Sequence, residues 1–336
     1  MSVDQGIEID PQTIKELELL EAALSDVDTE IIAKQYLMTK DIFAQRHQTI
    51  SKIKHFWSVV FNNAQVDLEA AITPNDREIF EHALTGIEVV RPEIPATAKI
   101  GDTGLGGYGE PRSVTLRFQF SENPWFTDSV LEKTLYYRYS KDGEAGLVSD
   151  PIKINWKAGK DVTEGLTDAA YAFWQAQRKM ASQNLDGVVA GDARKARDAE
   201  AKKMPEYKTV VDTLENKVEG AISFFNFFSY RGRWTSAAES KEAKAELDAK
   251  RQAALAGKPV AEDKDEDEDD DDEDLPAEAE AETFPAGHEV AVTIAEDIYP
   301  GAIDYFMSET LDTDDELDGL DLDEDDSEDD DDVEMS

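Results

Sequence analysis

The chain has 336 residues, a formal net charge of −42 and no cysteine, which allows one or two domains and excludes disulfides and thiolate metal sites. No run approaches 18 apolar residues and the start, MSVDQGIEIDPQ, lacks the basic and apolar parts of a secretory signal, so neither a membrane span nor a leader is expected. From Glu262 onward, 36 of the 76 acidic residues face one basic residue, Lys264, which leaves only about −7 of the charge for residues 1–261. Residues 1–10 are read as a disordered N-terminus. Asp10-Pro11 then has the chemistry of a helix start, with Asp as N-cap and Pro in the first turn. Apolar residues follow at steps of mostly three and four, and neither Pro nor Gly interrupts residues 12–62. The spacing predicts a helix over 11–62, about 75 Å long at about 1.5 Å per residue. Such a helix cannot bury its stripe inside one compact domain. Its simplest partner is a second copy of itself, with Leu17, Leu24, Ile31, Met38 and Ile42 facing that copy. Two shorter helices folded back on each other are the alternative, but no turn residues mark a break.

Thr73-Pro74-Asn75-Asp76 opens a short second helix by the same capping logic. Strand-like segments follow at 87–90, 114–120, 130–139 and 151–156. Val114, Leu116, Phe118 and Phe120 alternate with Thr115, Arg117 and Gln119, the period of a half-buried antiparallel strand. Residues 164–222 read as helical and polar, and 178–203 as a surface helix or flexible insertion. Ser223–Ser229 is the densest aromatic run. Residues 236–283 read as polar, low-complexity and disordered. An apolar island, from Val290 to Phe306, lies between two acidic tracts and should dock back on the core. Polyanionic runs repel themselves and do not help a chain fold, so they point to a strongly basic partner such as a histone, a ribosomal protein or a polyamine. Nucleic acid and anionic membranes are disfavoured on the same ground.

Several blocks resemble one family, the nucleosome assembly protein family, and most closely its SET/template-activating-factor branch. Phe43-Ala-Gln-Arg46 followed by Ile50-Ser-Lys-Ile53-Lys-His-Phe56-Trp57 resembles the end of that family's long helix. Phe118-Gln-Phe120-Ser-Glu122-Asn123-Pro124-Trp125-Phe126, Ile154-Asn-Trp156-Lys-Ala-Gly159-Lys160-Asp161 and Ser223-Phe224-Phe225-Asn226-Phe227-Phe228 are similar to three further blocks, and Ala295–Pro300 with Tyr305-Phe306 to the closing helix. The blocks keep their order across residues 12–307. The resemblance implies an α+β fold: a long N-terminal dimerisation helix, an "earmuff" domain of antiparallel sheet with packed helices, and a disordered acidic C-terminal tail. It implies a domain plan of 11–62 for the helix, 63–235 for the earmuff with insertions near 91–111 and 164–220, 236–284 for an acidic linker, 285–307 for a closing helix and 308–336 for the tail. The earmuff core would hold Phe118, Phe120, Trp125, Trp156, Phe224, Phe225 and Phe228.

The function implied is that of a homodimeric histone chaperone in the nucleus, shuttling to the cytoplasm in a wider reading. It would have core histones as partners and neither catalytic residues, metal nor cofactor. A second reading is a regulatory partner of a histone acetyltransferase or phosphatase. Histone contact is assigned to an acidic concave earmuff surface and to the acidic runs, the latter represented by Asp263, Asp267, Asp270, Asp272, Asp314, Asp323, Asp326 and Asp330. Two motifs are weighed and set aside. Gly104-Leu-Gly106-Gly107-Tyr-Gly109 matches a dinucleotide loop literally, but a strand follows it where a helix is needed. Asp314–Asp325 partly fits a calcium loop, as acidic tracts do by chance. The basic stretch Arg194–Lys203 is read as a weak nuclear signal or a solvated face, and Thr313 and Ser327 sit in contexts that suit an acidophilic kinase.

Overall fold

The computed structural model describes residues 10–64, 68, 71–102, 105–142, 145–216, 222–256 and 275–308. Helix α1 runs Pro11–Ile50. The Asp10 carboxylate accepts the Thr13 amide at 3.3 Å, and Pro11 fills the first turn, where a missing N–H is no loss. The predicted continuation to residue 62 is corrected here. The chain breaks at 51–55 and resumes as α2, Phe56–Asn63. A 40-residue α1 therefore spans about 60 Å. His55 takes a left-handed backbone, φ 59°, and its Nδ1 donates to the Glu81 carbonyl at 3.0 Å. That backbone costs roughly 1–2 kcal/mol. The turn aims Phe56, Trp57, Val60 and Phe61 into the core, where all four are buried. Each such burial contributes roughly 1.5–3 kcal/mol, so packing overrides helix propensity without any turn residue to announce it.

Helix α3, Pro74–Ala83, opens with a reciprocal box in which Thr73 and Asp76 bond each other's amides. The buried Asp76 carboxylate does more. It accepts the Ser223 hydroxyl at 2.5 Å and the Phe224 amide at 2.8 Å, pinning the aromatic run to α3. Strands β1 (Leu84–Val90), β2 (Val114–Phe120), β3 (Val130–Arg138) and β4 (Gly146–Val148) form an antiparallel meander in that order. Phe118, Leu116, Leu131 and Leu135 project from one face onto Phe224–Ser229, a 3₁₀ turn whose phenylalanines are all fully buried. The predicted strand over 151–156 is also corrected: only an isolated bridge, Phe126 to Trp156, forms there. Pro151 has no amide to give, and Ile152 instead donates to the Phe228 carbonyl at 2.9 Å.

Lys133 lies in this core, fully buried. Its ammonium donates to the carbonyls of Asp150 (2.8 Å), Phe228 (3.0 Å) and Tyr230 (2.7 Å). Burial pushes its pKa down to about 7, opposed by the nearby Glu282 and Asp150 carboxylates. Three N–H groups meet three acceptors, which ties β3 to the segments on either side of it. Lys133→Met keeps the stem and orphans the carbonyls. At about 1–3 kcal/mol per unsatisfied buried group, it should lose about 3 kcal/mol, read as a lower denaturant midpoint at unchanged slope.

Of the two readings of 178–203, the surface helix holds for 192–201, with one face buried, whereas the expectation that 236–283 is disordered is overturned where those residues are described. Helices α4 (Leu166–Lys179), α5 (Asp192–Ala201), α6 (Pro205–Glu215), α7 (Ala237–Leu255) and α8 (Ala277–Glu280) build a second layer. Leu166, Phe173, Met204, Tyr207 and Val210 form its own apolar cluster. Arg194 and Arg197, one turn apart on α5, are buried: Arg194 pairs with Glu239 of α7 at 2.5 Å, and Arg197 with Glu278 of α8 at 3.2 Å. The two arginines of the basic stretch thus form a structural clamp, while Lys195 and Lys203 face solvent. Finally α9, Gly287–Thr293, continues through a wider turn at Ile294–Ile298 and brings Tyr299 and Phe306 against α1 and α2.

Candidate interaction surface

Helix α1 has two unlike sides. On one side Thr29 and Ala33 are buried, Asp26 takes Arg251 of α7 at 2.6 Å, and the 91–111 insertion packs nearby through Tyr108. Tyr108 is itself fully buried, and its hydroxyl donates to the Asp102 carbonyl at 2.6 Å. That bond ties Tyr108 back to Asp102 at the start of the glycine-rich segment. Among its described residues a 3₁₀ turn, Leu105–Gly107, leads to β2 and not to a helix, so no phosphate cradle forms. Gly109 is required there: φ is +69° and a Cβ would lie 2.1 Å from the Glu93 carbonyl oxygen.

The opposite side of α1 is bare. Leu17 is 53% exposed, Leu24 61%, Ile31 53%, Met38 60% and Ile42 60%. Helical geometry sets these in one line with Ile14, Leu20 and Val27, also exposed. A run of eight large apolar side chains along one helix exceeds what a lone soluble protein exposes without a use. Near the C-terminal end the line gives way to buried contacts. Arg46, buried, lies over the rings of Phe43 (4.4 Å) and Tyr299 (4.5 Å), and donates to the Tyr299 carbonyl at 2.7 Å. Burial lowers its pKa, with the Tyr299 contact opposing. α1 is therefore gripped at its C-terminal end and held in its middle along one side only, by Thr29, Ala33 and the Asp26 pair, while its apolar line stays exposed.

Phe118, Phe120, Trp125, Phe224, Phe225 and Phe228 are buried around the sheet, and Trp156 is half-buried. Asp263, Asp267, Asp270, Asp272, Asp314, Asp323, Asp326 and Asp330 lie outside the described residues, as does the segment with Thr313 and Ser327. Sequence reasoning missed the clamp formed by Arg194, Arg197, Glu239 and Glu278. The one local signal was Ser236-Ala-Ala-Glu239, a helix-start box; the Ser236 hydroxyl does accept the Glu239 amide at 3.0 Å. Among the described residues no cluster of three or more His, Asp or Glu has the arrangement of a metal site, and no helix is long and apolar enough to cross a membrane.

A family model described as nucleosome assembly protein (NAP) matches residues 12–309. Among curated proteins, NAP1-related protein 1 of Arabidopsis thaliana is 28% identical over 151 residues, 45% of this chain and 51% of that protein. Nucleosome assembly protein 1-like 1 of Homo sapiens is 33% identical over 119 residues, 33% of this chain and 26% of that one. The chain thus spans about half, or less, of the length of these relatives. Among solved structures, Ccp1 aligns with a TM-score of 0.46 at 21% identity, covering 89% of this chain and 96% of that one. The Vps75 histone chaperone aligns at 0.44 and 15%, covering 90% and 100%.

Proposed function

This chain belongs to the nucleosome assembly protein family, and on that premise we propose that it is a homodimeric histone chaperone acting in the nucleus. The observation that carries the reading is the segregation of charge: about −35 from Glu262 onward against about −7 before it. Core histones are strongly basic, and DNA is their competing polyanion. A protein that offers dense carboxylate runs shields histone lysines and suppresses disordered histone–DNA contacts, without any bond being made or broken. The folded domain supplies orientation and short-range contact; the runs supply long-range attraction, which is screened beyond about 8 Å at physiological ionic strength. The apolar line on α1 supports the dimer, since a second copy is the simplest surface of the same length and character.

The test is histone affinity, for each of the two core histone pairs, over a series of salt concentrations. Deleting residues 308–336 removes 17 carboxylates but keeps the run at 262–274. Binding should weaken and lose part of its salt dependence, while the dimer and its melting transition stay nearly unchanged. A shuffled tail of equal charge should restore both. If it does not, the tail is read by sequence and the electrostatic account fails.

A further inference from the structure

The described residues end at Ser308, beside a basic turn. The final helical segment packs on α2: Phe306 stacks on Phe56 at 4.7 Å, and the Asn63 side-chain amide donates to the Tyr305 carbonyl at 2.7 Å. Phe56 directly follows the turn at 51–55, in which Lys52 and Lys54 are exposed. Residues 40–55 hold four lysines and arginines against one aspartate, in a chain whose net charge is −42. Arg46 donates to the carbonyls of Tyr299 and Pro300, which leaves its charge without a carboxylate. Among the described residues no carboxylate pairs with Lys40, Lys52 or Lys54, whereas Lys34, Lys141 and Lys202 each hold one. Beyond Ser308 the sequence continues for 28 residues with 17 carboxylates and no lysine or arginine. We propose that segment 309–336 docks on this spot of its own chain, on Lys52 and Lys54 and back along α1 to Lys40, and so withholds part of its charge from other basic partners. The contact itself stands on this geometry; its consequence for histones rests on the function proposed above.

Reach and position select this segment. From Lys54 back to Lys40 is on the order of 20 Å along α1, and 28 residues span up to about 90 Å when extended. The other acidic run, 262–274, follows α7, whose Arg251 meets α1 at Asp26, about 36 Å from Ile50 at about 1.5 Å per residue. A single exposed ion pair is weak and screened by salt. Here many carboxylates share a few cations, and a short tether holds them at an effective concentration in the millimolar range. A core histone carries far more positive charge than this spot and displaces the segment. A weakly basic protein does not. The contact therefore sets a threshold of basicity below which a partner is not captured.

Carbodiimide coupling of the full-length protein at low salt, mapped by mass spectrometry, tests the contact without any histone, because it joins an ammonium to a carboxylate only where the two touch. Lys52 and Lys54 should link to carboxylates of 312–332, and the links should vanish at about 1 M salt, where screening acts within about 3 Å. In a mixture of ¹⁵N-labelled and unlabelled chains, each linked peptide should carry one label state. Mixed-label peptides, links from these lysines only to α1 or to 262–274, or no links at all would overturn the proposal. The consequence is read with the Lys52→Gln, Lys54→Gln double variant, whose exposed side chains leave the melting transition in place. At low salt it should bind histones several-fold more tightly than the native chain. The same pair of substitutions in a chain lacking 309–336 should change affinity little. An equal rise in both chains would be an effect of net charge alone and would overturn the threshold. A chain that binds no histone would remove the proposed function, and the coupling result would still decide the contact.

Discussion

Replacing Leu24 and Ile31 by Asp in the same chain should leave the protein monomeric at micromolar concentration. Both side chains are more than half exposed in the single chain, so the substitutions disturb little within a protomer beyond a modest loss of helix propensity, of the order of 0.5 kcal/mol each. In the pair, four carboxylates would be buried against apolar neighbours. At about 2 kcal/mol each, the low end for a polar group left without a partner, the dissociation constant rises by more than five powers of ten, at about 1.4 kcal/mol per tenfold. Sedimentation reads the outcome, and thermal unfolding of the sheet domain serves as the control, since it should barely move. A variant that still sediments as a dimer would mean that α1 does not form the contact.

Phe225→Ala should lose about 3–5 kcal/mol of stability. The ring is fully buried and has edge or tilted contacts with Trp156 at 5.4 Å, Phe126 at 5.7 Å, Phe80 at 5.8 Å and Phe228 at 6.1 Å. It joins α3, the turn after β2 and the Trp156 segment, so its removal opens a cavity that no single neighbour can fill. Aromatic pairs at these spacings add stability beyond their buried area. The melting temperature should fall by many degrees while the dimer persists through α1. An unchanged melting temperature with weakened histone binding would make the aromatic run a docking surface instead.

Features with a short-range physical cause were legible in the sequence. The caps at Asp10 and Thr73 name their helices because each cap bonds amides within three residues. Alternation names β2, since a strand exposes and buries side chains in turn. The line on α1 is legible for the same reason, as period fixes face. The break at 51–55 is not, because nothing local demands it; Phe56 and Trp57 turn inward for partners such as Tyr299 and Phe306, more than two hundred residues away. The clamp on α5 was hidden in a similar way. Arg194 and Arg197 in an alanine-rich helix look solvated, and their partners Glu239 and Glu278 lie 45 and 81 residues further on. Short strand β4 and the loss of a strand at 151–156 likewise depend on what packs above them.

Between Gln12 and Asp28, α1 has no fully buried residue. Among the described residues, the Arg251 pair to Asp26 is the one ion pair that ties this half to the rest of the protomer. Helices without packing are marginal in water at this length, because nucleation is unfavourable and each added residue gains little. The order of this half is therefore borrowed from whatever covers its apolar line, and with a second copy as the cover it obeys mass action. The two parts of one chain then have stabilities of different molecularity. The sheet domain folds by a first-order equilibrium that dilution leaves alone, whereas the free half of α1 is held by a second-order one and frays as the protein is diluted.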